Sequence, residues 1–201
     1  MKKGKDIELP KIELKIVTVS VRLESLSDIM FNRFIDQSAE QRPPQQKMYL
    51  DTGNVVCLPA ENIKAFLFGE FPAGCARKFE GKKGKDYMQV GLGHVFIKPS
   101  LIPFLRDGKP AAWKEFDGTV FKIDRSSPRV RKGNLSIKQN VIERPVLTHP
   151  WSLEFEIDIV ENNSIDYQKL YNWFVSGGIL LALGTHRPEY GRFTVTEWKL
   201  S

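Results

Sequence analysis

Hydrophobic and polar positions alternate most clearly at the two ends of the chain. Residues 12–23, IELKIVTVSVRL, place Ile12, Leu14 and Ile16 on one side and β-branched residues throughout, which predicts a strand buried on both faces in its second half. WSLEFEIDIV (151–160) alternates strictly over Leu153, Phe155, Ile157 and Ile159, the pattern of a strand with one core face. FTVTEWKL (193–200) predicts the last strand. Period 3.6 occurs in two places. AENIKAFLFGEF (60–71) carries Ile63, Phe66 and Leu67 on one face, with Pro59 at its start and Gly69 and Pro72 at its end. Tyr167, Leu170, Tyr171 and Phe174 follow the same spacing, with Asn163 or Ser164 as cap and Asp166 in the first turn. Gly177-Gly178 then either interrupts that helix or packs it closely.

Between these ends the pattern is weaker. SLSDIMFNRF (25–34) predicts one turn of helix, and AEQRPPQQ (39–46) a loop. KMYLDTGNVVCLP (47–59) predicts a hairpin turning at Asp51-Thr52-Gly53-Asn54. AGCARKFEGKKGKDY (73–87) has no apolar period and predicts a mobile basic loop. GHVFIKPSLIPF (93–104) and FDGTVFKID (116–124) return to strand character around a turn at RDGKPAAW. Residues 125–147 predict a protruding hairpin arm with Gly133-Asn134 at its tip. Without its insertions the order is strand, helix, strand, strand, helix, strand. This predicts an α+β, ferredoxin-like (RRM-like) β-α-β-β-α-β palm, with the helices on one face of the sheet and the other face left for a ligand. The 201 residues make one domain, 1–201, and the basic loop and hairpin region, 73–147, is inserted within it.

Charge sharpens this picture through its distribution. The chain is +6 overall, but residues 73–144 hold 16 Lys and Arg against 7 Asp and Glu, a net +9, leaving −3 elsewhere. Positive charge concentrated in one part of a fold is the footprint of a polyanion binder. No stretch approaches the roughly 18 apolar residues of a membrane span, and the basic N-terminus lacks the apolar region of a signal peptide. Cys57 and Cys75 form no C-x-x-C pair and fit a reducing, cytoplasmic setting. His94, His149 and His186 are scattered, so neither a metal nor another cofactor is expected.

Two segments carry candidate chemistry. In GTHRPEYGRFTV (184–195), glycines bracket His186, Arg187, Tyr190 and Arg192. Glycines let a main chain approach a ligand, arginine forks match phosphate, and Tyr190 and His186 can stack on an unpaired base. An ordinary turn with a structural arginine explains the same letters equally well. In CLPAENIKAFLF (57–68), Asn62 and Lys64 stand at a helix start, where N–H groups and a cation can face phosphate. An amphipathic helix with Lys64 in solvent is the plainer alternative. Around them lie the loop cations Arg77, Lys78, Lys82 and Lys83 and the arm cations Arg125, Arg129, Arg131, Lys132 and Lys138.

Taken together, these two segments resemble motifs of the RAMP superfamily of CRISPR-associated proteins. The first resembles the strand-to-helix form I-P-G-S-S-L-[RK]-G-A-L-R, with Ala60-Glu61 where Gly-Ser is usual. The second resembles the glycine-rich loop G-x-G-x-[RK]-x-x-G-[FY]-G-R, with Pro188-Glu189 inside it. The resemblance implies a RAMP palm, a thumb-like basic excursion, and binding of single-stranded RNA or DNA, RNA favoured. It also implies self-assembly into a homo-oligomer along the strand, or assembly with CRISPR-type effector subunits in antiviral defence. With its DGxxxxW and HRPEYGRF stretches the chain also resembles short phage and prophage proteins, which leaves open a protein-interaction module that mimics such a subunit. A metal-independent ribonuclease using His186 is the remaining alternative, but a lone histidine without a second base predicts a non-catalytic chain.

Overall fold

A computed structural model describes residues 14–33, 42–126 and 141–201, together with the backbone pairing of 129–132 and 135–138. An antiparallel sheet organises the fold. β1 (Ile16–Ser25) lies between β12 (Ser152–Val160) and β13 (Phe193–Leu200). Its register with β12 runs unbroken from Ile16 opposite Val160 to Glu24 opposite Ser152. The β13 pairing shifts by a bulge at Arg22 and Leu23. On its other side β12 pairs with two consecutive strands, β5 (Val95–Lys98) and β6 (Leu101–Arg106). The sheet then continues through β4 (Val56–Pro59) to β3 (Tyr49–Leu50), and β7 (Lys109–Pro110) pairs with β6.

The strand period decides which face is buried. Val19, Val21 and Leu23 of β1 face the core beside Leu153, Phe155, Ile157 and Ile159 of β12, while Thr18, Ser20, Arg22 and Glu24 are only partly covered. The second half of β1 is therefore buried on one face, not two, because all the helices pack on the same side of the sheet. α1 (Ala60–Phe68) and α4 (Tyr167–Leu180) form this layer with α2 (Cys75–Phe79) and α3 (Gly84–His94). Phe66 of α1, Phe174 of α4 and Phe193 of β13 meet at its centre, with ring centroids 5.5 to 6.4 Å apart. Truncating a ring so buried costs about 3–5 kcal/mol. Gly177 resolves the double-glycine question: α4 runs through it, and a Cβ there would lie 2.6 Å from the Phe66 ring and 2.7 Å from Cys75 Sγ. It is a close-packing glycine.

Several further expectations need correction. The stretch 25–34 contains no helical turn among its described residues; Ile29–Met30 form β2, which pairs with β11 (Ile142–Leu147). Residues 73–87 are not a loop: they build α2, a 3-10 turn at Gly81–Lys83 and the start of α3. The sequence period hides these helices because small residues do the packing. Cys75 and Ala76 are fully buried, and Tyr87 is held edge-on by Trp173 of α4. The cap of α4 is Asp166, whose carboxylate accepts from the Lys169 N–H, while Asn162 closes the preceding turn by accepting from Ser164 and Ile165. The simple six-element palm is also too small a description. Among the described residues the fold is α+β, with eight strands in the main sheet, two further sheets and two extra helices.

The loop expected at 39–46 instead forms a 3-10 turn over Pro44–Lys47, with residues 39–41 outside the described ones. GHVFIKPSLIPF gives two strands, β5 and β6, and its Gly93 and His94 end α3. The 47–59 hairpin and the arm form as expected. Asp51 accepts from the N–H groups of Gly53 and Val55 to shape the β3–β4 hairpin. The arm rises from β8 (Phe121–Ser126) paired with β11, and continues as the ribbon β9 (Arg129–Lys132) and β10 (Leu135–Lys138). Its Gly133-Asn134 tip lies outside the described residues. No helix among the described residues is long and apolar enough to cross a membrane.

Candidate nucleic-acid interface

The 184–192 segment is pinned to the rest of the fold by its own backbone. Thr185 N–H donates to the Met30 carbonyl, Gly191 N–H to the Asp28 carbonyl, and Arg192 N–H to Ser27 Oγ. Leu183 N–H donates to the Gly191 carbonyl, and Tyr190 N–H to that of His186, so the segment closes on itself. Gly191 has φ +76°, and a Cβ there would lie 2.0 Å from the Leu183 carbonyl oxygen. The second glycine therefore serves loop closure, and these N–H groups are occupied within the protein.

β2 is the strut on which this segment and the arm both hang. One edge of it pairs with β11 at the arm's base, and its Met30 carbonyl holds Thr185. The segment thus divides two surroundings. Tyr190 faces the arm side, where burial, helped by Asp124 and Asp28, raises its phenol above the ordinary value. On the other side a groove of about 840 Å³ opens, lined by α1, β2, β3, the turn at Pro72-Ala73 and the end of α4.

The groove brings together four of the residues singled out in the sequence: Asn62, Lys78, His186 and Arg187. Arg187 is half buried, and burial lowers its guanidinium from the usual value. Its nearest acceptor is the Ala182 carbonyl at 3.5 Å, at the limit of a hydrogen bond, and it forms no ion pair among the described residues. Arg77, Lys78, Lys82 and Lys83 are exposed along α2 and the 3-10 turn, again in no ion pair among the described residues. Arg192 is exposed beyond the loop.

Other predicted residues lie elsewhere. Lys64 points away from the groove, with its Nζ 5.7 Å from the centre of the Phe96 ring and 3.9 Å from Glu61. Arg125 is on the arm's base, where its Nε donates to Glu143 Oε1 at 2.8 Å. Arg129, Arg131, Lys132 and Lys138 belong to the β9–β10 ribbon, and their side chains lie outside the described residues. The groove also contains residues that sequence reading passed over, among them Asn32, Tyr49 and Thr185. Only topology joins them, and the one local signal was an aromatic on a short strand beside a turn.

The sheet face opposite the helices, expected to receive a ligand, has a different character. Arg22 pairs with Glu154 at 2.9 Å and with Glu24 at 3.2 Å, Lys98 pairs with Asp158, and Lys199 pairs with Glu197 at 3.0 Å. Glu156 adds a further acid there. Among the described residues, no group of three or more His, Cys, Asp or Glu is placed to hold a metal ion.

No protein-family model matches the chain, and no curated protein matches it. Among solved structures it is similar to a chain of the "Cryo-EM structure of the Type III-B Cmr-beta bound to cognate target RNA". The TM-score is 0.59 at 14% identity, over 92% of this chain and 61% of that one. The protein shares the fold of that chain and spans 61% of its length.

Proposed function

We propose that the protein binds a single-stranded nucleic acid, RNA favoured over DNA, along the groove and up the basic arm. It acts as a non-catalytic subunit whose copies assemble side by side on the strand. In this reading β1, α1, the β5–β6 ribbon, β12, α4 and β13 are a RAMP-like palm, because these strands neighbour one another in the order fourth, first, third, second. β3, β4, α2 and α3 enlarge that palm, and the arm is an excursion between its second and third strands within one domain.

The observation that carries the proposal is Arg187. A partly desolvated cation is normally paired, since leaving water without a counter-ion is costly. This one has no carboxylate partner among the described residues and lies beside Lys78 in an open groove. A phosphate would complete it, with the fork geometry that guanidinium offers. The fold shared with a subunit from an RNA-bound assembly supports the same reading. The His186 ring is exposed and hydrogen-bonds to no second acid or base among the described residues, so RNA should remain intact on long incubation.

Fluorescence anisotropy of labelled single-stranded RNA and DNA of about thirty nucleotides, at two salt concentrations, tests it. Binding should weaken steeply with salt, by about 0.7 in logarithmic slope for each phosphate contact. It should be largely lost in Arg187→Ala/Arg192→Ala. A flat salt response, or no binding at low salt, overturns the proposal and turns attention to a protein partner.

A further inference from the structure

The groove is built for more than a phosphate. Its floor is apolar, with Met30, Leu58 and Leu183 beneath, and its volume of about 840 Å³ is that of a ligand pocket rather than of an anion cradle. A phosphodiester keeps its water and gains nothing from such a floor. A planar heterocycle gains both burial and stacking. Tyr49 lines the groove, and the Arg33 guanidinium lies 5.0 Å from the centre of its ring, a pairing that steadies the ring. The Asn32 and Asn62 amides also line it, both partly covered and neither with a hydrogen-bond partner among the described residues. An amide offers a donor and an acceptor side by side, which a base edge can match and a phosphate cannot.

We propose that this groove is a base pocket, in which one unpaired nucleobase of the bound strand lies against Tyr49 with its edge toward Asn32 and Asn62, while Lys78 and Arg187 hold the flanking phosphates. This rests on the nucleic-acid reading above and deepens it. The rim cations Lys78 and Arg187, unpaired among the described residues, select a polyanion, and the apolar floor selects a strand whose bases are free. Duplexes are then disfavoured, because a paired base would have to leave its stack to enter.

The test compares an RNA of about thirty nucleotides with an abasic ribose-phosphate strand of the same length and charge, by anisotropy at one moderate salt concentration. The wild type should prefer the strand with bases by roughly five- to a hundredfold, the range of stacking losses for one base. Tyr49→Leu should remove most of that preference while leaving affinity for the abasic strand and its salt slope unchanged. Tyr49→Phe should retain the preference. Asn62→Ala, on the partly exposed start of α1, provides a second variant if Tyr49→Leu does not fold, and it too should shrink the preference. Lys78→Ala should weaken both strands equally. Equal affinity of the wild type for the two strands overturns the base pocket and leaves the phosphate-binding reading standing. If neither strand binds at low salt, both fall together.

Discussion

The groove side and the open sheet face of this molecule contain similar side chains put to opposite uses. On the sheet face, Arg22, Lys98 and Lys199 each lie against a carboxylate, and acids outnumber them. In the groove Lys78 and Arg187, and exposed elsewhere on α2, the 3-10 turn and the loop end Arg77, Lys82, Lys83 and Arg192, have no ion-pair partner among the described residues. The number of cations on a surface therefore says little about polyanion binding. What matters is whether the fold places acids within reach, because a paired cation must first give up its carboxylate. Exposed pairs contribute only about 0–1 kcal/mol to stability, so the sheet face is better understood as neutralised than as braced.

The largest expected effect comes from reversing charge on each side in turn. Arg77→Glu/Lys78→Glu/Lys82→Glu should lower single-strand affinity by roughly ten- to a hundredfold and reduce the salt slope. Lys98→Glu/Lys199→Glu on the sheet face should change affinity by no more than about twofold. Equal losses in anisotropy titrations of the two variants would erase the distinction between the faces.

A second way to break the comparison is to move the groove wall. Gly191→Ala places a Cβ against the Leu183 carbonyl at a φ of +76°, so it should destabilise the fold by about 1–3 kcal/mol and weaken binding together. Glu156→Ala on the open face should stay within about 0.5 kcal/mol. Thermal melts of both variants, read beside binding, separate the two outcomes.

A smaller effect sharpens the comparison at the arm. Arg125 is already paired with Glu143, so Arg125→Ala should cost roughly two- to threefold in affinity, less than Lys78→Ala. Glu143→Gln should raise affinity slightly by releasing it. The smallest effect concerns acid. The hydrogen bond from Lys98, aided by Thr18, lowers Asp158 below the ordinary carboxylate value of 3.8. Its contribution to stability is present above that value and is lost as pH falls through the lower folded value. Asp158→Asn should flatten this part of the acid limb in pH-dependent melts while leaving nucleic-acid binding at neutral pH unchanged.

Much of the fold was legible because its edges are regular. The alternation in 151–160 and the i, i+3, i+4 spacing of Ile63, Phe66 and Leu67 each bury one face, and a single period declares which. α2 and α3 escaped for the opposite reason. Their buried positions are Cys75, Ala76, Gly84, Met88 and Gly91, residues too small or too plain to stand out beside the exposed lysines. The two-residue β2 escaped because no local pattern can announce a strand whose existence depends on pairing with Val146 and Leu147, more than a hundred residues later.

For the candidate site, the chemical parts are written in the residues: glycines around Arg187, a helix entered through Leu58-Pro59, and an excess of cations between them. Local period and turn chemistry, which act over a few residues, also declare β4 and α1, and α4 and β13, on either side of the first two parts, but not α2 and α3, which carry many of the cations. Long-range packing alone settles which cations remain unpaired among the described residues, which loop N–H groups are already used, and that Asn32, Tyr49, Asn62 and Arg187 share one groove. Those facts depend on which distant strands become neighbours, and that is set by burying the whole apolar face at once.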